Sequence, residues 1–133
     1  MSNKAVHTDT APEAVGPYSQ AVVVELDGER KMVFTAGQIG LDPSTMQVVE
    51  GGIEAETRQV ISNLTAILEA AGAGWKDVVK ATVFLADIDD FGAFNEIYRE
   101  AVSDPPPARS AAAVRDLPKG CLLELELIAF LGG

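Results

Sequence analysis

The chain has 133 residues, 47% of them hydrophobic and 23% charged, which suits one ordinary globular domain and points away from disorder or a membrane span. Acidic residues outnumber basic ones 20 to 10, for a formal charge of −10, so phosphate backbones are repelled, nucleic acid is not an expected partner and an anionic metabolite would need a local cationic anchor. One cysteine, Cys121, and one histidine, His7, supply neither an internal disulfide, nor a His/Cys metal centre, nor a Ser-His-Asp or Cys-His arrangement.

In chain order, residues 1–9 (MSNKAVHTD) read as a loose terminus lacking the apolar core of a secretion signal, and the expected compartment is the cytoplasm. Residues 19–26 (SQAVVVEL) and 31–37 (KMVFTAG) are rich in β-branched and aromatic types around the turn signal Asp27-Gly28-Glu29-Arg30, which predicts a β-hairpin. A loop over 41–52 follows, with a short strand at 47–49. Ile53, Val60, Ile61, Leu64, Ile67, Leu68 and Ala71 then recur at helical spacing until Gly72 and Gly74 end the pattern. Trp75, in the turn that follows, reads as a staple on the helix end.

Residues 77–86 (DVVKATVFLA) read as a buried strand, and 87–101 as a second helix with Phe91, Phe94, Ile97, Tyr98 and Ala101 on one stripe. Three prolines, Pro105, Pro106 and Pro107, then deliver a short strand, 108–114, stiffly to a single arginine, Arg109, set among small residues. A final strand covers 121–130. The order β-β-α-β-α-β-β, with the short strand at 47–49 as a sixth, predicts an α+β two-layer sandwich, a mixed six-stranded sheet with two helices on one face. Side chains alternate along a strand, so Leu123, Leu125, Leu127 and Ala129 belong under the helices, while Leu122, Glu124, Glu126, Ile128 and Phe130 face the other way. The second set includes hydrophobes that two helices cannot cover, which predicts a homo-oligomer with Glu124 and Glu126 at or near its interface. A half-exposed strand is the competing reading.

Several segments together carry a resemblance: GPYSQAV (16–22), TAGQIG (35–40), VVKATVFLADIDDF (78–91) followed by FNEIY (94–98), PPARS (106–110) and LPKGCLLELELIA (117–129). Their order and spacing resemble the RidA/YjgF family of reactive-intermediate deaminases, from about residue 11 to residue 130. The resemblance implies a chorismate-mutase-like homotrimer with clefts between subunits. There, 2-enamino or 2-imino acids released by pyridoxal-phosphate enzymes are hydrolysed to 2-oxo acids and ammonia, without cofactor or metal. It places the carboxylate-binding arginine at Arg109, the catalytic glutamate at Glu124 and the pocket tyrosine at Tyr18, with Gly37, Asn95 and, more loosely, Tyr98 also in the pocket.

The chemistry is coherent, because a guanidinium fork fixes a carboxylate in position and plane, and a carboxylate can take a proton from the attacking water. Competing uses exist for each residue: a solvated charge for Arg109, an interface ion pair for Glu124 or Glu126, an aromatic plug for Tyr18, a cap or packing bond for Asn95, core for Tyr98. Gly37 and Gly40 serve either backbone relief or close approach to a ligand. Two positions depart from the family pattern: Ala111, which the resemblance also counts among the substrate-binding positions, stands where many members have cysteine, and Ala36 where serine is frequent. Cys121 does not replace that cysteine and reads as a small buried hydrophobe. A non-catalytic module holding a small carboxylate in the same cleft is the alternative function, and the ribonuclease reading attached to some members conflicts with the charge.

Overall fold

A computed structural model describes residues 2–132. The elements are β1 (Ser2–Val6), β2 (Ala21–Glu25), β3 (Lys31–Thr35), α1 (Gly52–Ala70), β4 (Val78–Leu85), α2 (Phe91–Ala101), β5 (Ala108–Ala113) and β6 (Leu123–Leu131). They form one six-stranded sheet in the order β1-β2-β3-β6-β4-β5. Every neighbouring pair is antiparallel except β4 with β5, so the sheet is mixed as expected.

The hairpin of β2 and β3 closes where the turn residues require it. Gly28 takes φ 54°, Arg30 donates its amide to Asp27 O at 2.9 Å, and the Arg30 guanidinium pairs with the Asp27 carboxylate. Helix α1 stops by backbone chemistry as well. Gly72 at φ 81° lets its amide reach Glu69 O at 3.0 Å while the Ala73 amide reaches Leu68 O at 2.8 Å, the paired bonds of a Schellman ending. Trp75 then folds back onto the helix, donating Nε1–H to Thr65 Oγ1 at 2.9 Å and meeting Tyr98 edge-on, which is the stapling role its position suggested.

The helices lie on one face. Val60, Leu64, Ile67 and Leu68 of α1 and Phe94 and Tyr98 of α2 are buried against Val33, Ala81, Val83 and Leu85. The alternation in β6 holds: Leu123, Leu125, Leu127 and Ala129 are buried, whereas Glu124, Glu126 and Ile128 are only partly covered and Phe130 is exposed.

Two expectations need correction. The sixth strand is β1, not the stretch at 47–49, which makes only an isolated bridge between Leu41 and Val48. Within the terminus expected to be loose, residues 2–6 pair with β2, Ser2 opposite Glu25 and Val6 opposite Ala21, and Lys4 Nζ meets Glu25 Oε1 at 2.8 Å. Backbone pairing and an ion pair replace the apolar alternation that would have announced it, since four of its five residues face solvent.

Candidate active site

The β4–β5 ladder sets Arg109 beside Ala81, which is fully buried on the helix side of the sheet. The arginine therefore runs beneath α2. Its Cζ lies 4.9 Å from the Tyr98 ring centroid, 5.1 Å from that of Phe91 and 5.7 Å from that of Phe94. Three aromatic rings so placed hold a guanidinium by quadrupole attraction while leaving its N–H fork free for an anion. The arginine opens onto a cavity of about 570 Å³, lined also by Asn95, Tyr98, Val102, Pro106 and Pro107. Asn95 Oδ1 and the Tyr98 hydroxyl are buried and lack a hydrogen-bond partner within the described chain. Burial pushes the Tyr98 phenol up, and the Arg109 charge partly offsets this.

Glu124 sits elsewhere. It pairs with Phe84 across β4–β6, which puts its side chain on the face the helices leave open. The β3–β6 ladder runs only as far as Phe34 opposite Ile128. There Thr35 Oγ1 accepts from the Leu127 amide at 2.9 Å, and pairing resumes with reciprocal bonds of 2.9 and 3.0 Å between Gln38 and Leu125. The interruption brings Gly37 against Glu124. A Cβ built on Gly37 would lie 2.8 Å from Glu124 Cδ, so glycine is needed for clearance. It is not needed for an unusual backbone angle, because Gly37 and Gly40 both lie outside the positive-φ glycines.

A second cavity of about 380 Å³ surrounds this carboxylate, lined also by Tyr18, Gly37, Gln38, Ile39 and Lys119. Burial pushes the Glu124 carboxyl above the usual glutamate range, and the like charge of Glu126 raises it further. Tyr18 is 50% exposed at the rim and therefore is no buried plug. Ala36 is in the wall of this cavity, at the position where serine is frequent. Ala111 follows Arg109 on the same side of β5, opposite Val83, exposed and outside the lining of both cavities.

The chain thus brings the expected residues together in two groups: Arg109, Asn95 and Tyr98 in one cavity, and Glu124, Tyr18 and Gly37 in the other. No lining residue is shared, and the two charged groups are on opposite sides of the sheet. Gln38 and Lys119 were not foreseen. The Pro118-Lys119-Gly120 turn was the available signal for Lys119, which adopts φ 55° next to Gly120 at φ 65°.

The model of the family described as Endoribonuclease L-PSP matches residues 8–131. The chain belongs to the RidA/YjgF/L-PSP family. Among its relatives in that family, the 2-iminobutanoate/2-iminopropanoate deaminase of Rattus norvegicus is 48% identical over 129 residues, which span 97% of this chain and 90% of that protein. The crystal structure of RidA from the Antarctic bacterium Psychrobacter sp. PAMC 21119 matches with a TM-score of 0.87 at 45% identity, covering 96% of this chain and 99% of that one. The crystal structure of E. coli TdcF with bound serine matches with a TM-score of 0.85 at 38% identity, covering 97% and 99%.

No helix among the described residues is long and apolar enough to cross a membrane.

Proposed function

We propose that the protein is a hydrolytic deaminase of 2-imino and 2-enamino acids, and that its working site is assembled where two copies meet. Arg109 of one copy holds the substrate carboxylate, and Glu124 of the partner subunit directs water. The observation that carries this reading is the division of the site: a caged guanidinium opens onto one cavity and a carboxylate of raised pKa onto another, on opposite faces of one sheet. A copy that covers the open face of β6 would join the two and bury the exposed Phe34 and Phe130. The family relationship favours a homotrimer with three such clefts.

The steps balance without a cofactor. An enamine first tautomerises to the imine. Water then adds at C2: Glu124 takes one of its protons, the C=N electron pair moves to nitrogen, and Glu124 passes that proton to the nitrogen to give a neutral carbinolamine. In the collapse Glu124 takes the hydroxyl proton as C=O re-forms and delivers it to the departing nitrogen, which leaves as ammonia and restores the carboxylate. The product is the 2-oxo acid. A base of raised pKa suits both directions of that proton transfer near neutrality. Amino acid chemistry is also what the relatives point to: the rat protein is named as an iminobutanoate and iminopropanoate deaminase, and TdcF was crystallised with serine. Ribonuclease chemistry, which the family description names, fits poorly with a charge of −10 and a single, exposed histidine.

The test is complementation. Arg109→Ala and Glu124→Gln should each abolish accelerated keto acid release from intermediates generated in situ by a threonine dehydratase. Mixed and reassembled in equal amounts, the two inactive variants should recover about a quarter of wild-type activity, because random assembly restores that share of interfaces. No recovery between folded, assembling variants would overturn the shared site. Carboxylate binding by the wild type without rate acceleration would make it a binding module.

A further inference from the structure

Glu56 is a buried carboxylate on α1 that the proposed chemistry does not use. It is only 5% exposed, yet no cation among the described residues neutralises it. Its Oε1 accepts the Leu122 amide at 2.8 Å across 66 residues of sequence. Leu122 stands two residues before Glu124, and the Leu122 carbonyl in turn accepts the Ala86 amide at 3.0 Å, so the bond fixes the point where β6 enters the sheet. The same residue packs against the loop whose Ile39 and Leu41 line the Glu124 cavity. Gly40, three residues after Gly37, lies so close that a Cβ there would come within 3.0 Å of Glu56 Cα and 3.1 Å of its carbonyl oxygen.

We infer that Glu56 is the positioning residue of the catalytic carboxylate: it fixes the strand entry that aims Glu124 and seats the Gly37–Gly40 loop against it. Burying an anion on a single backbone bond is costly, and an apolar side chain would fill the site more cheaply. The retained charge makes sense if the location of Leu122 matters more than stability. Burial raises the Glu56 carboxyl, the Leu122 bond lowers it, and the nearby Asp90 charge raises it again. Cys121 is the other titratable group beside it.

The inference rests on Glu124 acting as the base, so Glu124→Gln serves as the reference. Glu56→Leu removes the acceptor and should lower kcat about 10-fold with KM for the imino acid little changed, since Arg109 is untouched. Glu56→Gln keeps an acceptor for the Leu122 amide and should recover most of that kcat. If Glu56→Leu fails to fold, Gly40→Ala, which presses the loop away from Glu56, supplies the same kcat-only loss. Wild-type kcat in a folded Glu56→Leu or Gly40→Ala variant, with Glu124→Gln inactive, would overturn the inference alone. Full activity in Glu124→Gln would overturn the reading beneath it as well, and a fall in kcat that Glu56→Gln does not relieve would assign Glu56 a role other than accepting the Leu122 bond.

Discussion

The two cavities are built by opposite means. Around Arg109 the setting is side chains: three aromatic rings from α2 hold the cation, and Tyr98, Pro106 and Pro107 line the cavity. Around Glu124 the decisive element is backbone, a break in the β3–β6 ladder that Thr35 and Gln38 bridge and a glycine whose missing Cβ makes room. The cation half should therefore tolerate conservative change and lose affinity gradually. The carboxylate half should fail abruptly, because an atom added at Gly37 would claim the place of the Glu124 carboxyl itself.

The largest effect is expected at the reacting end of that contrast. Glu124→Gln should lower kcat by about 10²–10⁴-fold while the carboxylate is still bound, measurable as a kcat loss with little change in KM. Gly37→Ala comes next. Its new Cβ would force the Glu124 carboxyl aside, and a displacement near 1 Å should lower kcat about 10²-fold, which steady-state kinetics on the folded variant would reveal. Phe91→Leu should do far less: losing one of three rings over Arg109 should raise KM about 2- to 10-fold with kcat kept. A kcat loss in Phe91→Leu, or a KM effect alone in Gly37→Ala, would erase the distinction between the halves.

The subtlest test uses pH. Glu124 is held above the usual glutamate range, first by burial and second by Glu126. Its base form disappears as pH falls through that raised value, so the acid limb of kcat should sit above the ordinary carboxylate range. Glu126→Gln removes the like charge and should move the limb to lower pH, though not fully, because burial is the larger cause. Stability runs the opposite way: a raised carboxyl costs folding free energy as pH climbs from the unfolded value through the folded one. Glu124→Gln should therefore flatten that part of the stability profile, which denaturant melts at several pH values would detect.

Much of this architecture was readable from residue order. The stripe of α1, the alternation of β6 and the hairpin turn each rest on a local period, and each matches the observed burial. β1 escaped because an edge strand held by main-chain bonds and the Lys4–Glu25 pair needs no apolar pattern. Candidate site residues could be named by resemblance, but not their distribution. That Arg109 and Glu124 lie on opposite faces follows from the β4–β5 register and its parallel direction, pairings between segments far apart in sequence that no single stretch encodes. The fit of Gly40 to Glu56 was hidden for the same reason.

Cys121 has a practical consequence. The chain's lone thiol is 2% exposed, donates to Leu123 O at 3.4 Å, and is pushed up to about 11 by burial first and by the Glu56 charge second. So little thiolate exists at neutral pH that peroxide and maleimide should leave the native protein unmodified, and position 111, being alanine, offers them no alternative. A cysteine engineered at the rim could then carry a fluorophore as the sole reactive handle, and a maleimide adduct on the unaltered native chain, seen by mass spectrometry, would show that the seal leaks.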